Sequence, residues 1–110
     1  MADAPRQVRW SEVAVRDLEE LIAYAALESP ERATRLLSAL ETKASSLQTT
    51  PDRGRIVPEL ATFGLRTWRE LVVKPYRIVY RSDGRIVHVL AVLDGRRELH
   101  EVLLERLVRT

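Results

Sequence analysis

The chain of 110 residues contains no cysteine, which excludes disulfide bonds and thiolate metal sites. Glycine, proline and aromatic residues are also scarce, with four glycines, five prolines and an aromatic content of 5%. No run of apolar residues is long enough for a helix that spans a bilayer. The N-terminus lacks the apolar segment of a secretion signal. These absences predict a cytoplasmic protein that does not bind membranes.

The remaining composition is that of an ordinary globular protein, with 45% hydrophobic and 31% charged residues. A length of 110 residues is sufficient for a single core, so we predict one domain spanning residues 1–110. The two histidines, His88 and His100, are too few to indicate a metal centre. No phosphate-binding glycine loop occurs either. We therefore predict neither a metal nor a small-molecule cofactor.

Positive charge is concentrated in the second half of the chain. Residues 1–50 hold six Lys and Arg against eight Asp and Glu, a net charge of −2. Residues 51–110 hold twelve against eight, a net charge of +4. This distribution indicates a polyanion or an acidic protein segment as a partner, without choosing between them.

Two adjacent helices are predicted near the N-terminus. Ser11 is a suitable N-cap for a first helix that ends near Leu27. Ser29 and Pro30 begin a second helix, which must end before Pro51. Because the link between them is so short, the helices should form an antiparallel hairpin that packs on a sheet. The apolar positions at helical spacing are Ala14, Leu18, Leu21, Ile22 and Ala25 in the first helix and Ala33, Leu36, Leu37, Leu40, Ala44 and Leu47 in the second.

Three strands are predicted in the second half, at Trp68–Val73, Tyr76–Arg81 and Arg85–Leu93. Asp83 and Gly84 form the clearest turn, with positive φ expected at both residues, whereas Lys74-Pro75 suits the usual hairpin turns poorly.

Weaker signals predict a short strand or extended entry at residues 6–10, a structured loop at Pro51–Arg66 and a C-terminal helix at Arg97–Arg109. The apolar side of that helix contains Leu99, Val102, Leu103 and Leu107. The predicted fold is α+β, with a helical hairpin on an antiparallel sheet of three or four strands.

This order of elements and several short sequence motifs resemble those of the RelE/ParE superfamily of toxins from type II toxin–antitoxin systems. The motifs that carry the resemblance are Trp10-Ser11, Asp17-Leu18, Pro51…Gly54-Arg55, Pro58-Glu59-Leu60, Arg69-Glu70-Leu71, Tyr76-Arg77-Ile78-Val79-Tyr80-Arg81 and Gly95-Arg96-Arg97. The resemblance implies one of two activities. RelE-like members cut mRNA in the ribosomal A site, whereas ParE-like members inhibit DNA gyrase, and an antitoxin neutralises both.

Cleavage of RNA without a metal requires a base for the 2′-hydroxyl, cationic groups for the phosphorane and an acid for the leaving oxygen. Arg69, Arg77 and Arg97 match basic positions of the nuclease pattern. Leu71 and Leu103 stand where that pattern has a lysine and a tyrosine. The resemblance therefore favours a gyrase inhibitor without enzymatic activity.

Two alternatives remain open at this point. The first is a ribosome-dependent mRNA endonuclease that uses Arg69, Arg77, Arg97 and His100, since a histidine can act as a base. The second is a detoxified paralogue that only binds its antitoxin.

The resemblance to the superfamily also implies candidate binding residues. We expect Arg69, Arg77, Arg81 and Arg97 to bind an anion or the target. Arg77 and Arg81 occupy alternate strand positions and should share one face of the sheet. The alternative to anion binding is that they form salt bridges to Glu70 or Glu98. The predicted antitoxin contacts are Ala25, Ala26 and Leu27.

Overall fold

The computed structural model describes residues 4–96 and 100–109. Its helices are α1 (Glu12–Glu28), α2 (Pro30–Ser45), α3 (Pro58–Ala61) and α4 (His100–Arg109), and a 3₁₀ turn (Ser46–Gln48) follows α2. Its strands are β1 (Gln7–Trp10), β2 (Arg55–Ile56), β3 (Arg69–Val73), β4 (Tyr76–Ser82) and β5 (Ile86–Asp94). No helix within the described ranges is both long and apolar enough to cross a membrane.

The starts of the two long helices agree with the sequence predictions. The Ser11 side chain accepts a hydrogen bond from the Ala14 backbone N–H at 3.0 Å. The Ser29 side chain caps α2 in the same way, accepting from the Arg32 N–H at 3.2 Å, and Pro30 is the first residue of that helix. Each cap satisfies a backbone donor that has no partner within the helix.

The sheet has five strands in the order β1-β5-β4-β3-β2. Only β1 and β5 are parallel; the other neighbouring strands are antiparallel. The predicted antiparallel sheet of three or four strands is therefore corrected to a mixed sheet of five. The missed strand, β2, has two residues and lies within the Pro51–Arg66 segment, together with the single-turn helix α3. Elements this short have no periodic apolar pattern to reveal them.

The two hairpin turns differ from each other in their backbone. Val73 pairs with Tyr76 across a two-residue loop in which the Lys74–Pro75 peptide bond is cis. In the second turn only Gly84 has a positive φ, of 96°, so the expectation of positive φ at Asp83 was wrong. Asp83 instead uses its carboxylate, which accepts hydrogen bonds from the backbone N–H groups of Arg85 and Ile86.

Helices cover the sheet on both sides. We call the side under α1 and α2 the hairpin face and the side under α3 and α4 the α4 face. The buried core of the hairpin face consists of Ala14, Leu40, Ala44, Leu47, Leu71, Ile78, Tyr80, Val87, Val89 and Val92. The buried core of the α4 face consists of Val57, Leu60, Trp68, Val79, Leu90, Ala91 and Leu103. A bulge interrupts the β4–β5 register between Val79, which pairs with Ala91, and Tyr80, which pairs with Val89.

Candidate functional site

Arg77, which matches a basic position of the nuclease pattern, is buried on the α4 face with 7% of its surface exposed. Its two Nη atoms donate to the two carboxylate oxygens of Glu59 at 2.6 and 2.7 Å. Its Nε donates to Glu70 Oε1 at 2.6 Å. Glu59 comes from α3 and Glu70 from β3, so one guanidinium joins two segments to β4.

A fourth charged residue completes this arrangement. Arg55, on β2, donates from Nε to the other oxygen of Glu70 at 2.6 Å. Glu70 is 1% exposed and therefore depends on both arginines for compensation of its charge. We call Arg55, Glu59, Glu70 and Arg77 the charge cluster. The hydrogen bonds that Arg77 donates to these carboxylates, above all to Glu59, raise the pKa of Arg77, although burial acts in the opposite direction. Arg77 is thus engaged by carboxylates at each of its nitrogen atoms.

Arg69 lies on the opposite side of the sheet from Arg77. In the β3–β4 register Arg69 pairs with Tyr80, whereas Arg77 pairs with Val72, and adjacent strand residues point to opposite faces. Arg69 Nη1 donates to the Gly54 carbonyl at 2.8 Å on the hairpin face. Arg69 and Arg77 therefore do not converge on one anion-binding site. A two-residue loop after Val73 fixes this register, so the loop length was the signal that could have shown it.

The other predicted arginines have separate positions. Arg81 lies on the same face as Arg77, as the alternation predicts, and its guanidinium carbon is 5.7 Å from the centre of the Trp68 ring, within cation–π range. Arg97 lies outside the described residues. His100 begins α4, and its side chain is outside the described part of the structure.

The two leucines that depart from the nuclease pattern are both in the core. Leu71 is 6% exposed and belongs to the hairpin-face core. Leu103 is fully buried in the α4-face core, as the apolar face of the predicted C-terminal helix indicated. Neither side chain can donate or accept a proton.

Tyr80 holds the loop that leads into β2. Its hydroxyl accepts from the Gly54 N–H at 3.0 Å and donates to the Pro51 carbonyl at 2.7 Å. Burial is the main cause that raises the pKa of Tyr80. A Cβ on Gly54 would lie 2.5 Å from the Glu70 carbonyl oxygen, so only glycine allows this approach. This close approach explains why the motif contains Gly54.

A groove of about 540 Å³ lies between α1, the end of β5 and α4. At its side Asp17 accepts two hydrogen bonds of 2.9 Å from the Arg106 guanidinium and one of 3.1 Å from the Val92 N–H. This pair fastens α4 to α1 and raises the pKa of Arg106 through the Asp17 hydrogen bond. The groove is lined by Asp17, Glu20, Leu21, Tyr24, Tyr76, Val92, Leu93, Asp94, Arg96, Val102 and Arg106.

The predicted antitoxin contacts lie at the C-terminal end of α1. Leu27 is 84% exposed, Ala26 is exposed and Ala25 is half-buried. Tyr24, next to them in the sequence, is 72% exposed and lines the groove. Tyr24 and Leu27 are three residues apart, so these two exposed side chains are neighbours on the helix surface.

The sequence did not reveal the ion pairs that organise these surfaces. Glu59 belongs to a quoted motif, but its partner is 18 residues away, and Asp17 and Arg106 are separated by 89 residues. Such pairs form only when distant segments of the chain pack together, and local residue spacing does not predict them. Within the described part of the chain, no group of three or more His, Asp or Glu side chains is arranged to hold a metal ion.

With this fold and these surfaces described, comparison with known proteins defines the class. The family model for "ParE toxin of type II toxin-antitoxin system, parDE" matches residues 8–99, and the chain belongs to this family within the RelE/ParE superfamily. Toxin RelE2 of Caulobacter vibrioides is 39% identical over 93 residues, which cover 83% of this chain and 97% of that protein. Putative toxin Y4kP of Sinorhizobium fredii is 31% identical over 100 residues, covering 89% and 97%.

Two solved structures share the fold. The chromosomal ParDE toxin–antitoxin system of P. aeruginosa matches with a TM-score of 0.62 and 21% identity, covering 82% of this chain and 96% of that one. The RelBE2 toxin–antitoxin complex of Mycobacterium tuberculosis matches with a TM-score of 0.58 and 28% identity, covering 80% and 95%. The superfamily resemblance identified in the sequence is thus confirmed.

Proposed function

We propose that this toxin inhibits growth by poisoning DNA gyrase and that a cognate antitoxin neutralises it. The observation that carries the choice of gyrase is the burial of Leu71 and Leu103, which are 6% and 0% exposed. These positions correspond to the lysine and tyrosine of the nuclease pattern. The proposal requires the toxin to act in the cytoplasm, where gyrase works.

The charge cluster supports the same choice. A nuclease needs cations that are free to meet the phosphorane charge as it develops. Arg77 is engaged by Glu59 and Glu70, and a phosphate would have to displace carboxylates that are already hydrogen-bonded at 2.6–2.7 Å. Arg69 faces the other side of the sheet, so these two cations do not converge on one phosphate.

The gyrase proposal is tested with the purified full-length chain, gyrase and relaxed plasmid. We expect loss of supercoiling or accumulation of cleaved DNA at toxin concentrations on the order of micromolar. Gyrase that supercoils at its normal rate under these conditions would contradict the proposal. The same preparation, added to programmed ribosomes, should leave the mRNA intact.

The alternative is a ribosome-dependent mRNA endonuclease, which the name of the relative Toxin RelE2 makes worth testing. Its candidate residues are Arg69, Arg77, Arg97 and His100. It predicts cleavage of the message within ribosomes, lost on Arg77→Ala in a preparation that circular dichroism shows to be folded. Induced expression without an antitoxin tests the third possibility, a protein that only binds its antitoxin, because growth arrest excludes it.

We propose that an amphipathic antitoxin segment covers the C-terminal end of α1 at Ala25, Ala26 and Leu27. Two observations support this proposal. The similar solved structures are a toxin–antitoxin system and a toxin–antitoxin complex. In addition, Leu27 and Tyr24 are 84% and 72% exposed, and Tyr24 lines the groove at α4. An apolar helix face of a partner would bury these side chains.

Leu27→Asp should weaken the complex by about 2 kcal/mol, the scale of an interface hot spot, as measured by calorimetric titration with the antitoxin. Val15→Asp is the matched control. Val15 is also an exposed apolar residue of α1, but it lies about 18 Å from Leu27, toward the N-terminus of the helix. Equal affinities for the two variants would refute this antitoxin surface.

A further inference from the structure

Two arginines lie together at the corner of the sheet where β1 begins. Arg6 immediately precedes β1, and Arg85 immediately precedes β5. The strands are parallel here, and the Gln7 N–H donates to the Arg85 carbonyl at 3.2 Å, which holds the two residues side by side. Both line a recess of about 440 Å³, whose other lining residues are Ala4, Pro5 and Gly84.

One donor of the Arg6 guanidinium group lacks a hydrogen-bond partner. Its Nε is buried and has no hydrogen-bond partner among the residues that the structure describes. Buried donors in proteins are almost always paired with a protein group or with water, so this donor is free for a ligand once the side chain turns toward the recess. No side-chain hydrogen bond or ion pair of Arg85 occurs within the described ranges either.

The adjacent carboxylate is not available to neutralise these arginines. Asp83, two residues before Arg85, accepts from the backbone N–H groups of Arg85 and Ile86 at 3.1 and 2.8 Å. Its second oxygen lies 3.0 Å from His88 Nε2. The turn thus uses its acid to shape its own backbone. Both arginines line the same recess, and an anion bound there would reduce the repulsion between their positive charges.

We propose that Arg6 and Arg85 form a binding site for a phosphate group. A guanidinium presents several N–H donors in a planar fork that matches the oxygens of phosphate. Phosphate has enough acceptor oxygens to meet both arginines at once. The phosphate is either a free ion or a phosphodiester of a nucleic acid. This site lies away from the charge cluster, and the inference does not depend on gyrase being the target.

The test is a titration of the full-length chain, labelled with ¹⁵N, followed through the arginine Nε–Hε signals in NMR spectra. The probes are inorganic phosphate and a short single-stranded oligonucleotide without terminal phosphates. The Arg6→Gln/Arg85→Gln variant removes both charges and retains polar side chains of similar length. Arg9→Gln is the matched control, since Arg9 is an exposed arginine of the same β1 strand that does not line the recess.

We expect a saturable shift of the Arg6 signal that persists in Arg9→Gln. In the double variant the affinity should fall by about tenfold or more, the effect of losing charge-assisted hydrogen bonds from both arginines. Tighter binding of the oligonucleotide than of inorganic phosphate identifies the ligand as a phosphodiester, whereas equal or weaker binding identifies it as free phosphate. The absence of a saturable shift with both probes would overturn the site. An equal loss of affinity in Arg9→Gln would also overturn it, because that result indicates a diffuse positive field.

Discussion

Arg77 and Arg85 carry the same guanidinium group, but the molecule uses them in different ways. Arg77 is buried and is hydrogen-bonded to two carboxylates, and those carboxylates join α3 and β3 to β4. Arg85 is exposed beside Arg6, and the acid in its own turn is engaged elsewhere. The comparison shows that the availability of an arginine depends on where the nearest free carboxylate lies. The number of arginines in a segment does not predict it.

The largest expected effect comes from breaking the charge cluster. Arg77→Ala should lower the free energy of unfolding by about 3–5 kcal/mol, because Glu70 would remain buried with only Arg55 to compensate its charge. Unfolding in urea measures the loss. Arg9→Ala, which removes an exposed arginine, should change the free energy by no more than about 0.5 kcal/mol. Similar values for the two variants would contradict the structural role of Arg77.

A smaller loss is expected at the hydroxyl that holds the β2 loop. Tyr80→Phe should cost about 1–3 kcal/mol, because the buried Gly54 N–H and the Pro51 carbonyl would both lose their partner. Tyr24→Phe is the control, since Tyr24 is 72% exposed and should be nearly neutral. Urea unfolding of both variants compares them, and equal stabilities would refute the role of Tyr80.

The pair at the groove should contribute less, because both side chains are partly accessible to water. Asp17→Asn should lower stability by about 1–2 kcal/mol and speed amide hydrogen exchange in α4, since the charged hydrogen bonds to Arg106 would weaken. Glu19→Gln, at an exposed position of the same helix, is the control. Unchanged exchange in α4 would show that Asp17 does not fasten this helix.

The smallest effect is expected at the turn beside Arg85, and it depends on pH. Hydrogen bonds from the Ile86 N–H, from His88 and from the Arg85 N–H hold the pKa of Asp83 below its usual range. A lowered folded-state pKa stabilises the protein above the unfolded pKa of about 4 and loses that effect as the pH falls. The Tm difference between wild type and Asp83→Ala should therefore be largest at neutral pH and shrink below about pH 4. A difference independent of pH would contradict this assignment.

Much of the fold could be predicted from local patterns. The caps at Ser11 and Ser29, the apolar spacing of both long helices and the three main strands lie within one or two residues of the structure. The burial of Leu103 also followed from helical periodicity. These features depend on neighbours in the sequence, so the sequence alone predicts them.

The missed features depend on register and on distant contacts. The direction of β1 was not predicted, because a four-residue strand carries no signal that identifies its partner. Glu59 and Arg77 meet only after α3 folds onto the sheet. The separation of Arg69 from Arg77 is an exception. It follows from the length of the Lys74-Pro75 loop, so the sequence contained enough information to predict the face of the sheet to which each side chain points. The two arginines at the corner come together only through the pairing of β1 with β5.

The most direct test of the contrast between the arginines is hydrogen exchange at their Nε–Hε groups, followed by NMR in the unmodified protein. Arg77 should exchange slowly, because its Nε is buried and bonded to Glu70 at 2.6 Å. Arg85 should exchange at the rate of a solvated side chain. Exchange at Arg77 as fast as at Arg85 would show that the charge cluster opens readily. It would contradict the conclusion that Arg77 stabilises the fold through its hydrogen bonds to Glu59 and Glu70.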